Sequence, residues 1–157
     1  MSRTIFLDTQ IFFQCIENDQ LSTVIEHAIN AGYQVCTSIT VLGEAFTQMY
    51  EKPDAVDYIT RMHALFTAWD VTALFPEDRV RISCYLLGEV ETDTRMSREP
   101  TDRVHLAYAM AYRVDYFLTS DKHLIKYRIP SKLREADFIK PATMPLEKFR
   151  DNVLKKK

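Results

Sequence analysis

Four acidic residues, Asp8, Glu44, Asp102 and Asp121, fall where strand-like and helix-like signals change over in this 157-residue chain. Asp8 closes the apolar run Thr4-Ile5-Phe6-Leu7, and Asp121 comes just after Tyr116-Phe117-Leu118-Thr119. Glu44 sits about two turns into a helical pattern that follows a second β-like run. Asp102 lies near the start of a helical pattern that follows Pro100. Parallel strands of one sheet share a carboxyl rim, and a helix returning antiparallel to its strand begins at that same rim. The four acids can therefore converge. At an effective dielectric near 20, two charges about 5 Å apart repel by roughly 3 kcal/mol, so six such pairs would cost on the order of 15–20 kcal/mol, above the stability of a typical domain. The carboxylates must be partly protonated, spread apart or neutralised by cations. Mg²⁺ and Mn²⁺ prefer oxygen ligands. One or two such ions would make a bound water nucleophilic and stabilise a leaving oxygen, which is the chemistry of phosphodiester hydrolysis.

The elements that must position these acids alternate. Thr4 to Leu7 reads as a strand buried on both faces. Leu21 to Ala31 reads as a helix, with Gly32 placed for a positive φ at its end. Tyr33 to Thr37 is a second strand, and Ser38 caps a helix that runs towards Lys52 and stops at Pro53. Asp54 starts another helix with Val56, Ile59, Met62, Phe66 and Trp69 on its apolar face. Val71 to Phe75 is a third strand, and Pro76-Glu77-Asp78 opens a helix with acid in its first turn. A polar loop from Glu91 to Glu99 precedes a helix from Thr101 to Arg113. Tyr116 to Thr119 is a fourth strand, Asp137 to Lys140 a short fifth, and a terminal helix starts at Met144. The expected fold is one α/β domain over residues 1–157: a doubly wound, mostly parallel sheet of about five strands, with helices on both faces.

Composition narrows the function. Hydrophobic residues at 46% and charged ones at 27% are an ordinary globular mixture. No apolar run approaches the roughly 20 residues of a membrane span, and the N-terminal apolar stretch is too short for a signal peptide, so a cytoplasmic protein without membrane contact is expected. Cys15, Cys36 and Cys84 form no C-x-x-C pair, which leaves free thiols as the expectation. A net charge of −2 gives no general basic footprint for nucleic acid. None of the three glycines builds a dinucleotide or phosphate loop.

Four segments together resemble a known family, the PIN-domain ribonucleases, which include bacterial toxins of the virulence-associated protein C type. They are Ile5-Phe6-Leu7-Asp8-Thr9, Ser38-Ile39-Thr40-Val41-Leu42-Gly43-Glu44, Asp102-Arg103-Val104-His105-Leu106-Ala107-Tyr108-Ala109 and Phe117-Leu118-Thr119-Ser120-Asp121. Phe138-Ile139-Lys140-Pro141 followed by a helix is similar to the family's last strand and tail. The resemblance covers nearly the whole chain. It implies a PIN-like fold, one or two Mg²⁺ or Mn²⁺ ions at Asp8, Glu44, Asp102 and Asp121, and endonuclease action on RNA. It also implies an antitoxin as protein partner, with a homodimer as a further expectation. His123 stands where some members carry one more acid, which bears on a second metal.

Each residue also has an ordinary reading. Asp8 would serve as a turn cap, Glu44 as an exposed helix acid and Asp102 as a charge complement to its helix start. Gly43 costs roughly 0.8–1 kcal/mol relative to Ala inside a helix, so it implies either a close approach beside Glu44 or a packing constraint. Thr9 and Thr119 would hold carboxylates or make local turns. His105, three residues after Asp102, would orient that carboxylate, contact RNA or simply be a buried, satisfied imidazole. His27 and His63 belong to no constellation, and Asp78 and Asp93 read as solvated. Arg95, Arg98, Arg103 and Lys122 are candidate phosphate contacts near the rim. Ile11-Phe12-Phe13 and Phe46-Met49-Tyr50 would receive a partner helix if exposed and form core if not.

Two other functions compete. A dehalogenase-like phosphohydrolase also begins with a strand ending in Asp, but wants a second Asp where Gln10 stands. A catalytically silent PIN-like domain that binds RNA or scaffolds a complex would keep the fold without the cleavage.

Overall fold

The first strand sets the frame. Ile5, Phe6 and Leu7 are fully buried in succession, as in a strand covered on both faces. The computed structural model describes residues 3–89 and 99–155. The element order is β1 (Arg3–Leu7), α1 (Thr9–Glu17), α2 (Asp19–Asn30), β2 (Tyr33–Ser38), α3 (Ile39–Tyr50), α4 (Ala55–Ala68), β3 (Thr72–Leu74) and α5 (Asp78–Glu89). It continues with α6 (Pro100–Ala111), β4 (Tyr116–Leu118), α7 (Lys122–Lys126), α8 (Ser131–Glu135), β5 (Ala142–Met144) and α9 (Leu146–Phe149), which runs into a π-helical turn, Arg150–Leu154.

All four ladders are parallel, and the strand order is β3-β2-β1-β4-β5. This is the doubly wound α/β arrangement, with helices on both faces of the sheet. The order reverses at β1, which has β2 on one side and β4 on the other. A crevice forms beyond the carboxyl ends at such a switch point, because the connections leave in opposite directions. Asp8 follows β1 immediately, so it stands at the mouth of that crevice.

Local chemistry explains several boundaries. Ser38 caps α3 by accepting from the Val41 N–H at 3.1 Å. Gly32 follows α2 with a φ of +88°, a conformation a side chain would strain. One apolar layer is built by Phe12 stacked between Phe66 and Trp69. Another joins Tyr33, Tyr116 and Phe149 edge to face.

Some expectations are corrected. Ile11, Phe12 and Phe13 belong to α1, an element the sequence pattern did not reveal, and all three are core, so they form no docking face. Met49 is likewise buried, whereas Phe46 and Tyr50 are exposed. In α4, Met62 faces the core while Val56 is 80% exposed, since only one side of the helix start reaches the sheet layer. The fifth strand lies at Ala142–Met144 rather than Asp137 to Lys140. Asp137 takes a φ of +62° and Phe138 is buried from a loop, so the apolar signal there came from packing without strand geometry. The polar stretch with Asp93, Arg95 and Arg98 lies outside the described residues.

Candidate active site

Asp8, Glu44, Asp102 and Asp121 line one cavity of about 310 Å³, together with Thr9, Thr101, His105 and Ser120. Three supports are visible from the topology. Asp8 follows β1, Asp121 follows β4, and the first turn of α6 brings Asp102 to the same rim. Glu44 reaches it from α3, whose start is fixed by Ser38 at the end of β2.

Asp8 is buried, and every donor around it is specific. It caps α1 through Oδ1, accepting from the Thr9 N–H at 2.9 Å, and it accepts the Thr119 hydroxyl at Oδ2 at 2.6 Å. His105 Nδ1 lies 3.0 Å from Oδ1. Burial pushes the Asp8 carboxyl up, but the hydrogen bond and charge of His105, the Thr119 hydroxyl and the Thr9 N–H together outweigh it, and the carboxyl is held below its ordinary range. The ordinary reading of Asp8 as a cap is thus correct as far as it goes, and the cap also fixes the carboxylate in the crevice.

Glu44 accepts the Thr9 hydroxyl at 2.6 Å and the Gln48 amide at 3.2 Å. His105 Nε2 stands 3.5 Å from Glu44 Oε2, a loose contact too long for a good hydrogen bond. The imidazole therefore sits between Asp8 and Glu44, two partners its spacing from Asp102 did not suggest. It is buried, at 2% exposure. Asp121 is half-buried and caps α7, with Oδ1 accepting from His123 N–H at 2.7 Å. Thr119 connects two of the acids, since its hydroxyl also accepts from the Asp121 N–H at 3.1 Å.

The other sequence candidates scatter. Arg103 lies across Gly88 of α5, where it borders a separate hollow with Cys84 and Tyr85. Lys122 is exposed at the start of α7, and His123 packs its ring against Tyr127 at 6.0 Å. Asp78 is exposed and pairs with Arg81, as a solvated acid does. Cys15, Cys36 and Cys84 are free thiols, the first two buried. Sequence reasoning underrated His105, Thr9 and Thr119; the signal available was their adjacency to acids at the strand ends.

An all-oxygen set of four carboxylates is the donor chemistry a hard divalent cation takes. The side chains fit such an ion in kind. Asp8 and Glu44 are turned towards hydroxyl and imidazole partners and Asp121 towards backbone N–H groups, and no three His, Cys, Asp or Glu of the described residues are gathered into a ready cage.

Residues 5–130 match the PIN domain family. No curated protein matches the chain in sequence. Several solved structures are similar in fold. One is VapBC2 from Rickettsia felis, bound to a DNA fragment from its promoter, with 13% identity and a TM-score of 0.60 over 76% of this chain and 90% of that one. VapBC-1 from nontypeable Haemophilus influenzae has 12% identity and a TM-score of 0.60, covering 92% of this chain and 98% of that one. PAE2754 from Pyrobaculum aerophilum has 11% identity and a TM-score of 0.62, covering 99% and 91%. At such identities the likeness is one of fold, but the family match takes in all four acids and most of the chain. The protein belongs to the PIN-domain family.

Proposed function

We propose that the chain is a metal-dependent endoribonuclease whose working residues are Asp8, Glu44, Asp102 and Asp121. The observation that carries this reading is their convergence on one cavity at the β1/β4 switch point from four distant parts of the sequence. Mg²⁺ or Mn²⁺ held by these carboxylates would neutralise the phosphodiester and activate a water at neutral pH. The chain's own residues supply the rest. Thr119, Thr9 and Gln48 hold Asp8 and Glu44 by hydrogen bonds, so neither carboxylate must be ordered when substrate arrives. Ile5, Phe6 and Leu7, the strand residues that precede Asp8, are fully buried, so the carboxylate is backed by packed core.

A protein partner of the antitoxin kind is part of the same proposal. Its supports are the solved VapBC complexes of similar fold and two exposed rings on α3, Phe46 and Tyr50. Among the described residues no helix is long and apolar enough to cross a membrane. A silent, RNA-binding PIN-like domain is the second reading, favoured by the hydroxyl hydrogen bonds that already occupy Asp8 and Glu44.

Incubation of the purified chain with RNA and Mn²⁺ or Mg²⁺, with and without chelator and beside Asp8→Asn, separates the two. Cleavage that needs metal and disappears in the variant supports the nuclease. Binding without cleavage supports the silent domain.

A further inference from the structure

Gly43 is exposed in the middle of α3, and no described residue stands within 4 Å of where its Cβ would be. Glycine weakens a helix interior, and packing among the described residues does not require it here. The open space is the floor of a second groove, of about 350 Å³, walled by Thr40 on α3 and by Pro100 and Val104 on α6. This groove is continuous with the acidic cavity, because Glu44, Thr101 and His105 line both. One end is therefore ringed with carboxylates, and the described residues at the other make an uncharged slot of methyl groups, a proline ring and bare helix backbone.

We infer that this slot is a nucleobase subsite: it takes the base of a nucleotide adjoining the phosphate held at the four acids, with the flat ring lying against Gly43 between α3 and α6. The inference rests on the ribonuclease reading and names where its substrate's base goes. Single-stranded RNA is recognised by splaying bases out onto apolar and flat surfaces while the backbone tracks charge. A net charge of −2 offers the RNA little general attraction, so a base contact beside the phosphate site would add binding that surface charge does not. The threonine hydroxyls at the slot's edge can hydrogen-bond a base without fixing its identity.

The test uses the full chain in Ca²⁺ buffer and two 5′-labelled decamers, one of single-stranded RNA and one of the same ribose–phosphate backbone without bases. Gly43→Leu fills the slot with a helix-favouring side chain and should keep the wild-type thermal midpoint or raise it. Anisotropy titration should show the RNA decamer bound about tenfold more weakly by Gly43→Leu, the scale of one lost base contact. Binding of the base-free decamer should not change, and Gly43→Ala should lie between wild type and Gly43→Leu. Equal RNA affinity in wild type and Gly43→Leu overturns the subsite and leaves the slot to a protein partner. Equal weakening of both decamers, or a wild type that does not distinguish them, overturns it as well. Cleavage of the same RNA in Mg²⁺ is scored separately: base-dependent binding without cleavage sinks the nuclease reading and keeps the subsite.

Discussion

Thr119 donates its hydroxyl to Oδ2 of Asp8 at 2.6 Å, and the Thr119 Oγ1 itself accepts from the Asp121 backbone N–H at 3.1 Å. One fully buried side chain thus ties the end of β4 to the end of β1. The β1/β4 ladder, in which Leu7 pairs with Leu118, puts Thr119 one residue beyond the paired strand end, level with Asp8. Two acids from opposite ends of the sequence keep a fixed relation because of that pairing.

Thr119→Val keeps the side chain's shape and removes both hydrogen bonds. It should destabilise the protein by about 1–3 kcal/mol, because a buried carboxylate oxygen and a backbone N–H lose their partner. Thr119→Ser should recover most of the loss. Urea unfolding reads the difference, and a Val variant within about 0.5 kcal/mol of wild type would show the bond to be incidental.

The Asp8 carboxyl gives a pH signature. Burial opposes its ionisation, yet His105, Thr119 and Thr9 hold it below the ordinary value of 3.8. A folded pKa below the unfolded one contributes stability that is complete above about pH 4 and is lost as pH falls through the folded value. With chelator present, acidification below about pH 4 should destabilise wild type more steeply than Asp8→Asn. Parallel acid limbs in the two unfolding series would contradict the role given to these donors.

Much of this arrangement was legible in the sequence, for identifiable reasons. Buried parallel strands read as continuous apolar runs, so Ile5-Phe6-Leu7 and Phe117-Leu118 marked the sheet and, with it, the rim where Asp8 and Asp121 fall. Ser38 and Gly32 carried their cap and turn roles in their residue types. Helix α1 was hidden because the apolar run Ile11-Phe12-Phe13 drew the eye from its polar stripe, Gln10, Gln14 and Glu17, whose four- and three-residue spacing is the helical signal. The fifth strand was misplaced because Phe138 and Ile139 resemble a strand while only Phe138 turns inward. His105 could not be assigned from spacing, since its partners Asp8 and Glu44 reach it through the fold rather than along its own helix.

Lys140 tests a structural device away from the site. Its Nζ donates to the carbonyls of Leu124 at 2.6 Å, Ile125 at 3.2 Å and Tyr127 at 2.7 Å, closing the C-terminal end of α7. Lys140→Met should cost about 1–3 kcal/mol, since orphaned helix carbonyls lose charged donors. Denaturant unfolding checks it, and an unchanged midpoint would mean that water replaces the ammonium.

The thiols should divide by burial. Cys15 and Cys36 are 2% exposed, and burial pushes both up to about 12, so at pH 8 they remain protonated and shielded. Cys84 is half-buried on α5. Iodoacetamide at pH 8 should label Cys84 first by mass spectrometry, with the other two labelled only after denaturation. Early labelling at Cys15 or Cys36 would contradict the packing around them.

Calorimetric titration of Mn²⁺ into the metal-free chain tests most directly whether the four gathered carboxylates exist to hold a cation. Saturable binding by wild type at one or two ions per chain, abolished in Asp8→Asn and weakened at least tenfold in Asp102→Asn, is the predicted result. Wild-type protein that takes up no Mn²⁺ at millimolar concentration, or variants that bind it as wild type does, would contradict the claim.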